Sequence, residues 1–127
     1  MKSIVALFGQ TDRGLFHTPY LCRSLTDLLT TFGNPPKDTQ GLDFAIQAIM
    51  NEEDVIFFRV SEEGFSQNDY LKSFEILKDP KRIKRVDAIC MPKVGDRLLI
   101  DATIPICELH RSLLILSEKD LYDYLTN

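Results

Sequence analysis

Cys107-Glu108-Leu109-His110 sets a thiol and an imidazole three residues apart, a spacing that puts both on one face of a helix. Two such ligands do not close a zinc site, which needs three or four. A Cys–His nucleophile pair needs an oxyanion hole, and no motif announces one. Cys90 and His17 could join the pair only through tertiary structure. The favoured reading is a buried Cys beside a helix-terminal His. Glu52-Glu53-Asp54 and Glu62-Glu63 flank an apolar run and offer paired carboxylates for acid–base work. Adjacent carboxylates in polar loops ordinarily face water, and that is the expectation here.

Gly9-Gln10-Thr11-Asp12-Arg13-Gly14 has the glycine separation of a phosphate-binding loop. Leu15 and Phe16 stand where a Lys and a hydroxyl would hold phosphate and magnesium. The dinucleotide pattern fails as well, because no glycine sits two residues after Gly9. The stretch reads as a surface loop with a turn glycine. No Gly-x-Ser-x-Gly elbow and no His-Glu-x-x-His pattern occurs. No catalytic, cofactor-binding or metal-binding residue is therefore assigned, and no cofactor is expected. Lys81-Arg82-Ile83-Lys84-Arg85 is a dense basic cluster on an acidic background. As a solvated connection it needs no partner; its functional reading is docking to an acidic protein surface. Arg13, Lys81, Arg82, Lys84 and Arg85 are the candidate partner-binding residues.

The chain that must position these groups has 127 residues, enough for one domain with its own core. Hydrophobic residues make up 44% and charged residues 27%, ordinary for a globular protein. A net charge of −4 argues against a nucleic-acid partner. The apolar runs are too short to span a bilayer, and no signal peptide is expected. Cys22, Cys90 and Cys107 are odd in number and far apart, so a reducing, cytoplasmic setting is expected.

Residues 3–8 form a continuous apolar run, the pattern of a strand covered on both faces, and residues 55–60, β-branched and aromatic, read as a second strand. Residues 86–91 and 113–116 read as two more strands. Ser24 and Asp27 mark a helix start, and Gly33 its stop. Residues 41–50, 66–77, 95–110 and 118–125 follow helical spacing, with a break expected at Thr103-Ile104-Pro105. Strands thus alternate with helices. The expectation is a single α/β domain over residues 1–127: a small three-layer α/β sandwich with a mostly parallel four-stranded sheet.

Taken in order, these landmarks resemble the core domain of contractile phage tail sheath proteins. Ile4-Val5-Ala6-Leu7-Phe8-Gly9 followed by Asp12-Arg13-Gly14 is similar to that family's opening strand and turn. Pro19, Ser24, Phe32-Gly33 and Arg59-Val60 follow in the family's order, as do Asp69-Tyr70-Leu71 and Met91-Pro92. Two positions depart: Lys93 and Val94 separate Pro92 from Gly95, and Ser117 stands where an aspartate is usual. The resemblance covers most of this chain but a fraction of a sheath protein, without its C-terminal domain and strand-exchanging arms. It implies a non-enzymatic structural or protein-interaction domain of phage or prophage origin, acting through protein partners or self-association, in the cytoplasm or in an assembled injection device. Two other readings stay open. One is a small ligand-binding or enzymatic domain using Gly9 to Asp12, Ser61, Met91-Pro92 and Ser117 at the strand ends. The other is a stand-alone regulatory adaptor.

Overall fold

The computed structural model describes residues 2–126. In chain order the elements are β1 (Ile4–Gln10), β2 (Tyr20–Cys22), α1 (Leu25–Phe32), α2 (Gly41–Met50), β3 (Asp54–Val60) and α3 (Gln67–Leu77). They continue with β4 (Ala88–Cys90), α4 (Arg97–Ala102), α5 (Ile104–His110), β5 (Leu113–Ile115) and α6 (Glu118–Thr126). The strands form one sheet in the order β2-β3-β1-β4-β5. The four expected strands, β1, β3, β4 and β5, are parallel neighbours. The sheet is nevertheless five-stranded, not four-stranded, because β2 pairs antiparallel with the outer side of β3. Tyr20-Leu21-Cys22 is too short to display a period of two. It is ordered by its partners, Tyr20 against Phe57 and Cys22 against Val55, rather than by its own pattern.

The boundaries of α1 and the break between α4 and α5 have local causes. The Asp27 amide donates to Ser24 Oγ at 3.1 Å, and the Asp27 carboxylate accepts from the Arg23 amide at 2.9 Å, which closes the first turn of α1. Gly33 ends it at φ 78°, returning its amide to the Leu29 carbonyl. The expected break separates α4 from α5 at Thr103, and Pro105 falls in the first turn of α5, where its missing donor is tolerated.

The alternation of the two long strands builds two cores. Val5, Leu7, Val55 and Phe57 pack against α1 and α2. Ala6, Phe8, Ile56 and Phe58 pack against α3, α4 and α5 on the other face. Phe8 stacks on Phe58 at 5.0 Å and meets Tyr70 at 5.5 Å and Phe74 at 5.6 Å. Such rings contribute roughly 0.5–1.5 kcal/mol per pair beyond their buried area. The three layers do not extend across the whole sheet. The register carries the α2-side face from Leu7 to Cys90 and on to Ile115. Coverage on that side fades at β4, leaving β5 open.

Candidate functional site

The chain leaves β1 for β3 on one side and then returns past β1 to β4 on the other. In doubly wound sheets such a reversal, at the carboxyl ends of the strands, is where ligands bind. Here the ground above β1 is filled from within. Glu63 is only 2% exposed. Its Oε2 accepts the amides of Gln10 at 2.9 Å and Gly41 at 3.1 Å, and its Oε1 accepts that of Gln40 at 2.9 Å. Gln40, at the start of α2, makes no side-chain cap of its own. Glu63 caps the helix instead and meets the positive end of its dipole. The nest where a phosphate could sit is thus occupied by the protein's own carboxylate. Close approach of α2 to β1 makes room for this. A Cβ added to Gly9 would lie 2.7 Å from Gly41 Cα, and one on Gly41 would collide with Gly9 Cα.

This arrangement corrects the expectation that Glu62-Glu63 faces water. Glu62 is exposed, but Glu63 is buried. The one available sequence signal was indirect: no local capping residue at position 40 precedes the apolar helix.

Beside this filled nest, a groove remains open. A cavity of about 370 Å³ lies between α2, the sheet face at β4 and β5, and the start of α6. Leu7, Phe44, Ala48, Cys90 and Ile115 form its apolar walls, and Gln40, Gln47, Asn51 and Asp120 its polar ones. A wider groove of about 890 Å³ shares Gln40, Phe44, Ser117 and Asp120 with it and runs on toward Lys93 and Asp96. The Asp120 amide donates to Ser117 Oγ at 3.1 Å, so Ser117 caps α6. The Asp120 carboxylate makes no hydrogen bond or ion pair with the described residues, although the residue is only 6% exposed. Burial, and then the charge of Asp120, push the Cys90 thiol up to about 11, so it is a neutral wall.

The expected partner-binding residues fall at opposite ends of the sheet. Arg13 follows β1, and its guanidinium donates to the Leu29 carbonyl at 3.1 Å. Lys81, Arg82, Lys84 and Arg85 precede β4. Arg85 donates to Asp87 Oδ2 at 2.7 Å and to the Lys2 carbonyl at 2.8 Å. This guanidinium holds the Asp87 carboxyl below the usual carboxylate range. Lys81, Arg82 and Lys84 are exposed. They form a patch that Arg13 does not join.

The Cys–His pair does not form a reactive couple. His110 Nε2 lies 2.7 Å from the Leu77 carbonyl oxygen, and burial raises the Cys107 thiol. A different constellation appears only in three dimensions. His17 Nε2 sits 2.7 Å from Asp69 Oδ1, while Ser61 Oγ donates to Asp69 Oδ2 at 2.7 Å. The carboxylate lies between the imidazole and the hydroxyl, so the His is not placed to deprotonate the Ser, as a triad requires. The contact ties the loop after β1 to the start of α3. Burial would raise the Asp69 carboxyl, but hydrogen bonds from Ser61, His17 and Ser66 outweigh it and lower the pKa. Among the described residues, no group of three or more His, Cys, Asp or Glu is placed to hold a metal ion. No helix among them is long and apolar enough to cross a membrane.

Compared with known protein families, curated proteins and solved structures, the chain gives no significant match. Function must therefore be argued from the groove and the open strand.

Proposed function

We propose that this is a non-enzymatic assembly or interaction domain that docks its partner on the open half of the sheet. One observation carries the reading. Leu113 and Ile115 are 73% and 49% exposed on the same sheet face where Val55 and Phe57 are fully buried. Apolar side chains on an edge strand, beside an unpaired row of backbone groups, form a surface suited to a protein partner. The resemblance to sheath cores supports the same reading and suggests a contractile injection assembly as its setting. A second copy of the chain is the first partner to consider. Two-fold packing covers an apolar face with itself. The exposed Lys81, Arg82 and Lys84 lie away from this face and are suited to steering rather than anchoring.

Light scattering during size-exclusion chromatography, over a wide concentration range, tests this. The protein is expected to self-associate, or to co-elute with the products of neighbouring genes. The double change Leu113→Lys and Ile115→Lys should abolish that association and leave the melting temperature of the monomer unchanged. A strict monomer that binds none of those products would sink the reading. So would an assembly that the double variant leaves intact.

A further inference from the structure

We infer that the cavity between α2, β4, β5 and α6 is a binding site for a small organic cation: a protonated amine or amidine on a compact apolar body, paired with the Asp120 carboxylate. The cavity shares Ile115 with the proposed docking face, but its test reads small-molecule binding to the chain and not association.

The carboxylate is the starting point. Asp120 is only 6% exposed, and its carboxylate makes no hydrogen bond or ion pair among the described residues, while its oxygens keep contact with solvent through the cavity. A counter-charge set against a carboxylate in such a partly dry, apolar-walled site is worth more than one in open water. The first turn of α6 steadies the negative charge through the helix dipole. Helix-terminal placement supplies no counter-charge.

The protein offers no cation of its own in this cavity. Its lining contains no Lys, Arg or His, and its other charged residue is Glu53, a second acid. Lys93 and Lys119 line only the wider adjoining groove. Lys93 Nζ is held by the Asp38 carbonyl. Lys119 is the chain neighbour of Asp120 and lines the groove, not the cavity. A negatively charged ligand would meet two carboxylates here, and a neutral one would leave Asp120 without a counter-charge.

Size and wall chemistry specify the rest. The cavity, at about 370 Å³, fits a compact molecule, since small-ligand pockets run from roughly 300 to 1,000 Å³. Leu7, Phe44, Ala48, Cys90 and Ile115 would hold a ring or branched body. The amides of Gln40, Gln47 and Asn51 can orient remaining N–H or oxygen groups. The neutral thiol of Cys90 belongs to the apolar wall and does no chemistry in this site.

Amide chemical-shift titration of the isotope-labelled chain tests the inference with benzylamine, benzamidine, benzyl alcohol and benzoate as probes. Benzylamine and benzamidine should move the signals of Gln47, Asn51, Cys90 and Asp120 saturably. Benzyl alcohol should bind at least roughly tenfold more weakly, and benzoate should leave those signals in place. Asp120→Asn should weaken benzylamine by roughly tenfold while leaving benzyl alcohol unchanged. Ala48→Leu, which narrows the cavity without touching the charge, should block every probe. If Asp120→Asn does not fold, added salt on the unmodified chain gives the same reading, weakening benzylamine more than benzyl alcohol. The inference is overturned if benzyl alcohol or benzoate binds as tightly as benzylamine. It is equally overturned if Asp120→Asn keeps full benzylamine affinity, if Ala48→Leu binds as before, or if neither cationic probe saturates.

Discussion

Val55 and Phe57 of β3 and Leu113 and Ile115 of β5 project from the same face of one sheet, yet the first pair is sealed and the second lies open. All four are β-branched, aromatic or aliphatic residues in apolar runs, so residue type does not separate them. Topology does. The β1-to-β3 crossover carries α1 and α2, and a right-handed path lays them on the face over β1 and β3. The next two crossovers run the opposite way along the sheet, so α3, α4 and α5 land on the reverse face. Only α6 remains to cover the last two strands on the first face. Tyr124 of α6 instead packs into the core on the reverse side. The closed half is therefore a three-layer sandwich and the open half a two-layer one. An apolar strand stripped of its covering layer is a surface available to something else.

The comparison makes graded predictions. The largest effect belongs to Glu63, which joins the closed half to the strand ends. Glu63→Leu leaves the amides of Gln10, Gln40 and Gly41 without an acceptor. At about 1–3 kcal/mol for each orphaned donor, urea denaturation should show the most destabilised variant of the set. A wild-type midpoint in Glu63→Leu would mean that the nest is not a structural cap.

Next is the sealed side of β3. Phe57→Ala removes a fully buried ring packed on Phe32 at 4.7 Å and should cost about 3–5 kcal/mol. Equal losses for Phe57→Ala and Leu113→Ala in the monomer would erase the distinction between the halves.

Alkaline pH probes both sides at once. Burial raises the thiols of Cys22, in the closed half, and Cys90, at the edge of the open one, from an ordinary 9.0 to about 11. Below 9.0 the folded and unfolded chains hold these protons equally. Between 9.0 and about 11 the unfolded chain loses them first, so stability falls as pH rises through that window. Denaturation midpoints measured across it should flatten in Cys22→Ala and, separately, in Cys90→Ala. If a partner or ligand closes the open half, it should slow labelling of Cys90 and leave Cys22 as it was.

The smallest effect is expected where exposure is greatest. Leu113→Ser should change monomer stability by no more than about 0.5 kcal/mol. A clear loss in dilute monomer would show that β5 depends on this side chain.

Much of the fold was legible because its signals are local. The apolar runs of β1 and β3, the Ser24 cap, the Gly33 stop and the break before Pro105 each follow from a few neighbouring residues. β2 was not, since three residues carry no period and its order comes from β3. The site was legible only in outline. Ser117 and the Met91-Pro92 strand end, read as possible ligand contacts, do line the cavity. Asp120 gave no sign of isolation, because a carboxylate in a first helical turn normally faces water. His17 and Asp69 stand far apart in the chain, and no spacing rule links them.

The sequence by itself determined the kinds of element, their order and a mostly parallel sheet, since these depend on periodicity and turn residues within short windows. Only the tertiary structure decided which strands are covered, which carboxylate caps α2 and which is left without a partner. Those outcomes depend on the handedness and direction of each crossover, which bring groups from distant parts of the chain to the same end of one sheet.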